Sequence, residues 1–552
     1  MKRLLPLFLT LTFPSLASTT VIYNANGYTP TYKGELKQFS TLVIKDGKVV
    51  KIGDDELKNN FPGSQSIDAK KQTLLPGLID AHGHVIGLGN NLTQLDLRGS
   101  QSIVQVQTTL AEFAKSNKES WIIGRGWDQE LWPDKQFPTA GDLDKIIKDT
   151  PVVLSRVDGH AIWANSKAIE LANITIKTPT PDGGEIIRDH SAQPSGIFID
   201  KAQSLITSHI PAPSDHSVNL ALDQAGQHLL SLGITSTHDA GIDKQTWLIY
   251  KSRAAAGTLP LRIVAMLSAA DPDFKTMLKA GRYKDLNDFM SIRSVKIYAD
   301  GALGSRGAAL LADYADRTDH QGLMLETQQR LEELLTLSFR SGFSANTHAI
   351  GDKANRIVLD AYQNVFKKTG GILLRNRIEH AQIVAPEDIA RFKTLKIIPS
   401  MQPVHATSDM HMAQQRLSEQ QLIGAYAWQT FLKQGSVVAA GSDYPVELAN
   451  PFDGLYSAIT RQDHNQLPAQ GWRVSEALNR EDALNAFTLG GAYAAHQEFK
   501  LGSLEQGKWA DFILIDKDYF TVPVQEIFTI NVEQTWIAGK LRFQRTPLQK
   551  EE

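Results

Sequence analysis

Short apolar runs alternate with amphipathic helical stretches from about residue 75 to residue 496. Several of the runs end in polar residues, and they occupy residues 233–238, 262–266, 294–298, 343–348, 396–400 and 436–441. Strands that alternate with helices are typical of parallel β/α architecture, and a (β/α)8 barrel assembles its site at the carboxyl ends of its strands. The pattern therefore predicts an α/β protein with a TIM-type (β/α)8 barrel over residues 77–496. A doubly wound open sheet is less favoured, because no G-x-G-x-x-G motif or P-loop follows a predicted strand.

The two ends of the chain have a different, β-rich pattern. In residues 41–50 two β-rich runs flank Asp46-Gly47, a dipeptide typical of a hairpin turn. Residues 512–515 and 535–540 have the same character near the other end. Neither end offers enough strands to close a core alone, so we expect residues 18–76 and 497–545 to form one small composite β-sandwich domain. Two independent flanking sheets are the alternative.

One long segment interrupts the barrel pattern. Residues from about 99 to 232 exceed what a single β/α unit needs, and we interpret them as an insertion beside the barrel mouth. The insertion carries Trp121, Trp127, Trp132 and Trp163. Tryptophans are more often core residues, but four in a segment that reads as loop-rich also fit an apolar lid.

The N-terminus has the features of a secretory signal peptide. Lys2 and Arg3 precede an apolar run, and the small residues Ser15 and Ala17 fit cleavage before Ser18. The run is shorter than the about 20 apolar residues that span a bilayer, which argues against a membrane anchor. We therefore expect residues 1–17 to direct export to the periplasm or the medium, with no stable membrane insertion.

Charge and cysteine content narrow the chemistry. Lys and Arg total 57 against 60 Asp and Glu, so the net charge is −3 and no basic excess is available for a nucleic acid. The chain has no cysteine, which excludes disulfides, thiolate nucleophiles and thiolate metal sites. Histidine, carboxylate or modified lysine are left as metal ligands.

The strongest local motif is His82-Gly83-His84 after an apolar run. Residues two apart on a strand share a face, so both imidazoles project together, and we expect Gly83 to leave room for a metal such as zinc. An isolated His-x-His is weak evidence. It gains weight here because more candidate ligands occur at the ends of later predicted strands, namely Lys296, His348, His380 and Asp443.

In this order these residues resemble the metal-dependent amidohydrolase superfamily, and the phrases around them resemble its type 3 branch, which includes N-substituted formamide deformylases. The phrases span residues 295–301, 348–352 and 502–511. The resemblance covers nearly the whole chain after residue 17. It implies a metal-dependent hydrolase with one or two divalent ions, most simply Zn²⁺.

Carried onto this chain, the resemblance implies that His82, His84 and Asp443 bind one metal and that His348 and His380 bind a second. Lys296 would bridge the two as a carbamate, since a carboxylated lysine offers two anionic oxygens and a neutral amine only one nitrogen. The alternative is a Lys296 paired with Asp300 at the barrel rim, which would leave a site for one metal.

The implied reaction is hydrolysis of a C–N bond in an amide, N-formyl amine or cyclic amide by a metal-activated water, with Asp443 as the catalytic acid and base. The alternatives are an ester hydrolase or a deaminase with the same site, or a metal-containing binding protein without turnover. A serine hydrolase is disfavoured because the chain has no G-x-S-x-G elbow.

Four further residues are candidates for contact with a small-molecule substrate. Each has a structural alternative, such as an ion pair or a loop hydrogen bond, and they are His160 in the insertion, His238, Arg306 and Gln402. The sequence leaves open whether the chain forms a homo-oligomer.

Overall fold

The computed structural model describes residues 19–117, 119–156, 159–181 and 184–546. The predicted signal peptide and its cleavage site lie outside the described residues. The described chain divides into two compact units, one made of the residues up to His84 together with those from Gly226 onward, and one made of Val85–Ala225. Among the described residues, no helix combines the length and the apolar character that crossing a membrane requires.

The first unit contains a parallel eight-stranded barrel whose strand order follows the chain. Its strands are Leu78–Gly83, Ile234–Ile242, Arg262–Ser268, Met290–Tyr298, Ser344–Ala349, Arg377–His380, Ile398–Met401 and Ala439–Ala440. The first strand meets the segment after the eighth through two backbone hydrogen bonds, from Asp443 N to His82 O at 2.7 Å and from His84 N to Tyr444 O at 2.8 Å. The predicted barrel is therefore confirmed, and its closure places His82 and Asp443 side by side.

The helix Asp352–Thr369 shows how a helix of this unit packs through one apolar stripe. In Asp352–Thr369, Val358, Tyr362 and Val365 are buried at helical spacing, while the last turn carries two lysines. The helices of this unit after the second strand are Lys244–Ala255, Phe274–Lys279, Gln328–Arg340, Asp352–Thr369, Pro386–Thr394, Pro403–Arg416, Glu419–Ile423, Trp428–Lys433, Pro451–Thr460, Arg480–Asn485 and Gly491–Ala494.

Both chain ends build the composite β domain, as predicted. Phe512–Ile515 pairs antiparallel with Thr73–Pro76, so the two ends share a sheet and are not independent. That sheet contains Asn26–Pro30, Leu36–Phe39, Thr73–Pro76, Phe512–Ile515, Val532–Ile537 and Lys540–Gln544. A second sheet contains Thr19–Tyr23, Thr41–Lys45, Lys48–Gly53 and Gln65–Asp68.

The predicted hairpin turn has the geometry that its residues favour. Asp46 and Gly47 have φ values of 53° and 75°. Two successive positive φ values define the turn that matches the twist of a two-residue hairpin, and Asp-Gly adopts them at low cost. The strands Thr41–Lys45 and Lys48–Gly53 follow from this turn.

A buried ion pair connects the composite domain to the barrel. The guanidinium of Arg262 donates to both carboxylate oxygens of Asp511, at 2.6 Å and 3.0 Å, and to the carbonyl of Asn287 at 2.7 Å. Asp511 also accepts from the backbone N–H of Ala538 at 2.8 Å. Asp511, the last residue of the motif at residues 502–511, thus has a structural role in the contact between the barrel and the composite domain.

The second unit has a sheet of its own and is not loop-rich. Its strands are Leu95–Asp96, Ile122–Trp127, Val152–Arg156, Ala161–Ala164, Gly184–Arg188 and Pro194–Asp200. Its helices are Val85–Thr93, Ile103–Ser116, Ala140–Asp144, Ser166–Leu171 and Ser204–Thr207, and Asp215–Ser231 continues into the first unit.

The tryptophans of this unit are core residues, so the lid interpretation is wrong. Trp121, Trp127, Trp132 and Trp163 are all at most 7% exposed. Trp127, Trp132 and Trp163 pack on one another with ring centroids 6.0–6.3 Å apart. The indole N–H of Trp127 donates to Leu154 O and that of Trp163 to Thr139 O, each at 2.8 Å. A six-stranded sheet needs large side chains to fill its core, and these indoles do so.

Candidate metal centre

The first and eighth barrel strands are joined by a buried carboxylate that sequence reasoning missed. Asp80 accepts from the hydroxyl of Ser442 at 2.6 Å, from Ser442 N and from His82 N. Burial raises the pKa of Asp80 to about 7, against the opposing effect of these hydrogen bonds. Asp80 therefore holds the backbone of His82 against the residue that precedes Asp443.

Three of the predicted ligands meet in one buried cluster. One potential ligand atom from each of His82, His380 and Asp443 lies within 4.8 Å of the others. His380 is the last residue of its strand and Asp443 follows the eighth strand, and their φ values of 73° and 62° belong to a conformation that non-glycine residues rarely adopt. Such backbone geometry is often found at functional sites, and here it accompanies the convergence of the cluster side chains.

Each histidine of this cluster has its Nδ1 engaged by an acceptor from another residue. Nδ1 of His82 lies 2.5 Å from a carboxylate oxygen of Glu379, and Nδ1 of His380 lies 2.8 Å from Oε1 of Gln402. The Nε2 atom of His82 lies 3.5 Å from Oδ1 of Asp443. Partners of this kind fix the tautomer and the orientation of imidazoles that bind a metal.

Other imidazoles surround the cluster. Nε2 of His84 lies 3.2 Å from Oδ1 of Asp443, and Nε2 of His405 lies 3.7 Å from Oδ2. The ring of His348 packs 4.6 Å from that of His380. Nε2 of His348 and Nε2 of His405 are buried and have no hydrogen-bond partner among the described residues. Unpartnered buried nitrogens beside a carboxylate form a nitrogen and oxygen donor set that fits a divalent ion such as zinc.

The cluster contains residues from both of the ligand sets that the resemblance implied, one set for each of two metals. His82 and Asp443 were expected on one metal and His380 on the other, yet they lie together. The assignment of individual ligands to one or two ions therefore stays a prediction.

Lys296 is buried inside the barrel and faces His82. Its Nζ lies 3.1 Å from Nε2 of His82. Burial lowers the pKa of Lys296, although the charges of Glu379 and Asp443 oppose that effect. The alternative pairing with Asp300 is not what the structure has, because the Asp300 carboxylate accepts from the backbone N–H groups of residues 309, 350 and 351 at 2.9–3.0 Å.

The backbone contacts of Asp300 connect two of the sequence motifs that resemble the type 3 branch, residues 295–301 and residues 348–352. They join the loop after the fourth barrel strand to the loop after the fifth, the strand that carries His348. The approach at Gly351 is close, since a Cβ there would come within 2.0 Å of the carbonyl oxygen of Ala309. Asp352 completes the contact by accepting from Leu311 N at 2.8 Å.

Two carboxylates, Asp443 of the cluster and Glu379 behind it, are held ionised by their neighbours. Burial raises the pKa of Asp443, but the hydrogen bond from His84 and the electrostatic interactions with His82 and His380 outweigh it, and the pKa lies well below its usual value. Burial also raises the pKa of Glu379, and His82 with Arg377 reverses the effect and holds the pKa at about 2. Burial lowers the pKa of His348 to about 3, which keeps this imidazole neutral.

The space beside Gly83 is filled by a tyrosine ring. A Cβ at Gly83 would lie 2.3 Å from the ring of Tyr444, whose hydroxyl is hydrogen-bonded to Thr237 Oγ1 at 2.6 Å. The expectation that Gly83 leaves room for a metal is therefore wrong. Glycine is required here because the first strand packs directly on this ring.

The four candidate substrate residues have partners within the protein. Nδ1 of His238 accepts from Arg377 at 2.9 Å, and Gln402 contacts His380. Arg306 forms a two-pronged ion pair with Asp316 at 2.7 Å and 3.2 Å. In the second unit, Nδ1 of His160 lies 2.8 Å from Oδ1 of Asp200. A substrate role for these residues stays a prediction.

Comparison with known proteins decides the family. The Amidohydro_3 model, described as the amidohydrolase family, matches residues 65–543. The chain belongs to the amidohydrolase family. It is 30% identical to the protein YtcJ of Bacillus subtilis (strain 168) over 533 residues, covering 94% of this chain and 99% of YtcJ.

Two further proteins of this kind resemble the chain over nearly its whole length. The N-substituted formamide deformylase of Arthrobacter pascens is 25% identical over 544 residues, covering 95% of this chain and 98% of the relative. A metal-dependent hydrolase of Pyrococcus horikoshii OT3, known from its crystal structure, superimposes with a TM-score of 0.77 at 28% identity, covering 92% of this chain and 99% of that one. The chain is thus a member of a hydrolase family, and the solved structure that it resembles is a metal-dependent hydrolase.

Proposed function

We propose that this protein is a metal-dependent hydrolase that cleaves a C–N bond other than a peptide bond, in an amide, an N-formyl amine or a cyclic amide. The observation that carries the proposal is the buried cluster of His82, His380 and Asp443 at the carboxyl ends of barrel strands. Active sites of this barrel type lie at that end. The similarity to an N-substituted formamide deformylase supports the formamide class of substrate.

His82, His380 and Asp443 would hold the ion, with His84 and His348 next to them. A divalent ion bound there supplies Lewis-acid activation of water and of the substrate carbonyl. Asp443 has the geometry of a proton carrier. Its Oδ1 faces His82 and His84, whereas its Oδ2 faces, among the described residues, the more distant His405 at 3.7 Å. Oδ2 is therefore the atom that accepts the proton of the attacking water and returns it to the departing nitrogen.

Lys296, carboxylated to a carbamate, would complete the donor set that holds divalent metal in the proposed site. Support comes from its burial and from the position of its Nζ, which lies 3.1 Å from Nε2 of His82. An ammonium at this place would repel a cation, whereas the carboxylated side chain presents anionic oxygens to it.

Export forms the last part of the proposal. The positive residues, apolar run and small residues of positions 1–17 support a cleaved signal peptide. The substrate is then a small molecule met in the periplasm or outside the cell.

A substrate panel tests the proposed bond specificity. Purified zinc-loaded protein is incubated with N-formyl amines, N-acyl amines and cyclic amides, and with esters and aminated heterocycles as the competing classes. We expect release of formate or another acid together with the amine from the first group. Turnover confined to esters, or release of ammonia from a heterocycle alone, would contradict the proposal.

A further inference from the structure

A fully buried carboxylate lies behind the metal cluster. Glu379, on the sixth barrel strand, has no exposed surface, and its Oε2 is 2.5 Å from Nδ1 of His82. An ionised carboxylate only accepts hydrogen bonds. The hydrogen between these atoms therefore belongs to Nδ1 of His82, and the lone pair of the imidazole is on Nε2.

The environment of Nε2 agrees with this tautomer. Nε2 of His82 lies 3.1 Å from Nζ of Lys296, a group that donates hydrogen bonds. Nε2 is thus the acceptor on the ring, and it points at the cluster. Glu379 and the cluster engage opposite nitrogens of the same imidazole, so the carboxylate sets the direction in which the lone pair faces.

Arg377 fixes the position of Glu379. The two residues are two positions apart on one strand, so their side chains lie on the same inner face. A guanidinium nitrogen of Arg377 lies 3.8 Å from Oε1 of Glu379. The guanidinium also donates to the carbonyl of Ala81 at 3.2 Å and to Nδ1 of His238 at 2.9 Å. Arg377 therefore connects the carboxylate to the backbone of the strand that carries His82.

This arrangement is costly for the fold. Within the part of the chain that the structure describes, Oε1 of Glu379 and Nε of Arg377 are buried without a hydrogen-bond partner. A buried ion pair with unsatisfied atoms contributes less to folding than apolar side chains of the same size. Packing alone does not explain Glu379, whereas orientation of a metal-binding imidazole does.

We propose that Glu379 is a positioning residue for the metal centre. Through Nδ1 of His82 it fixes the tautomer and orientation in which Nε2 binds the ion, and Arg377 anchors it. The inference rests on the proposed function only in requiring that the site bind a divalent metal.

Metal affinity of the full-length protein tests the inference. Zn²⁺ is titrated into metal-free wild type and Glu379→Gln in competition with a chelating dye, and the absorption spectrum of Co²⁺-loaded protein reports ligand geometry. Loss of a carboxylate behind a ligand histidine typically weakens metal binding by about 10- to 100-fold. We expect a loss of this size and an altered Co²⁺ spectrum in Glu379→Gln.

Glu498→Gln is the matched control. Glu498 is also a buried glutamate paired with an arginine, since Arg375 donates to its two oxygens at 2.6 Å and 2.8 Å, and we place neither residue in the site. Its zinc affinity and Co²⁺ spectrum should equal those of wild type. If metal-free Glu379→Gln is unfolded by circular dichroism, Glu379→Asp replaces it, because it keeps the charge but withdraws it from Nδ1 by one methylene.

The possible results separate this inference from the proposed function. Wild-type affinity and spectrum in the Glu379 variant would overturn the positioning role while the metal site stands. An equal loss in Glu498→Gln would also overturn it, because the effect would then be general. Failure of wild type to bind Zn²⁺ would overturn the proposed function, and the inference with it.

Discussion

Asp443 connects the imidazoles that surround the cluster. Its two oxygens face His82 in the first strand, His84 directly after that strand, and His405 in the helix after the seventh strand. Asp443 was predictable because polar residues that follow barrel strands converge at one end. Glu379 was not, since a charged residue inside a short strand gives no sign of its partner. The sequence feature that could have identified it is the pair of charged residues, Arg377 and Glu379, two positions apart on a predicted buried strand.

Substitution of the ligand histidines tests the assembled site. His82→Ala and His348→Ala should each abolish most of the hydrolytic activity and lower the bound metal, because each removes a nitrogen donor. Activity, elemental analysis and circular dichroism on the same samples separate ligand loss from unfolding. His464→Ala is the control, since this half-exposed histidine faces Asp453 and should leave both quantities unchanged. A fully active His82→Ala protein with normal metal content would refute the assignment.

Lys296 offers a test of the carbamate. Lys296→Ala should lose metal and most activity with the fold intact, and acetate or propionate should restore part of the rate by occupying the vacated space. Lys296→Arg should stay inactive, because arginine is a permanent cation and cannot be carboxylated. The measurement is turnover with and without the added carboxylate.

Two results with the Lys296 variants would contradict the carbamate. Full activity of Lys296→Arg, or retained metal and rate in Lys296→Ala, would make Lys296 structural. The site would then be rewritten for one metal.

At the scale of elements, hydrophobic pattern predicted the barrel strands well and their ends less well. The apolar run at residues 436–441 becomes a strand of only two residues, Ala439–Ala440. Ser442 is instead held by the Asp80 carboxylate, and the chain turns at Asp443. Side-chain contacts between the first and eighth strands decide this boundary, and sequence pattern does not contain them.

The joint between barrel and composite domain gives a stability prediction. Asp511→Ala leaves the Arg262 guanidinium buried without its carboxylate, and removal of one partner of such a pair costs about 3–5 kcal/mol. Chemical denaturation should show a loss of that size in the free energy of unfolding. Asp54→Ala, at an exposed position of the same domain, should change it by no more than about 0.5 kcal/mol. Equal stability of Asp511→Ala and wild type would show that this pair does not stabilise the joint.

At the scale of the whole molecule, architecture was predictable and the role of the insertion was not. Alternating apolar runs and β-rich ends predicted the barrel and the composite domain, because both follow from periodicity. For the tryptophans of the second unit only the lid alternative failed, because the segment contains six strands and a core that needs these side chains. Composition identifies large apolar side chains but not which surface they cover.

The N-terminal segment gives a prediction about proteolytic processing of the exported protein. Cleavage should fall before Ser18, since Ser15 and Ala17 satisfy the small-residue rule. N-terminal sequencing of the exported protein checks this. Recovery of Met1 on the soluble mature form would contradict export by a cleaved signal peptide.

Metal dependence of hydrolysis tests the central claim most directly. Protein purified without chelator should contain about one to two equivalents of divalent metal per chain, the number that the donor set accommodates. Removal of the metal should abolish hydrolysis of N-formyl or N-acyl amines, and Zn²⁺ should restore it. Undiminished turnover by protein that elemental analysis shows to hold no stoichiometric metal would contradict the account.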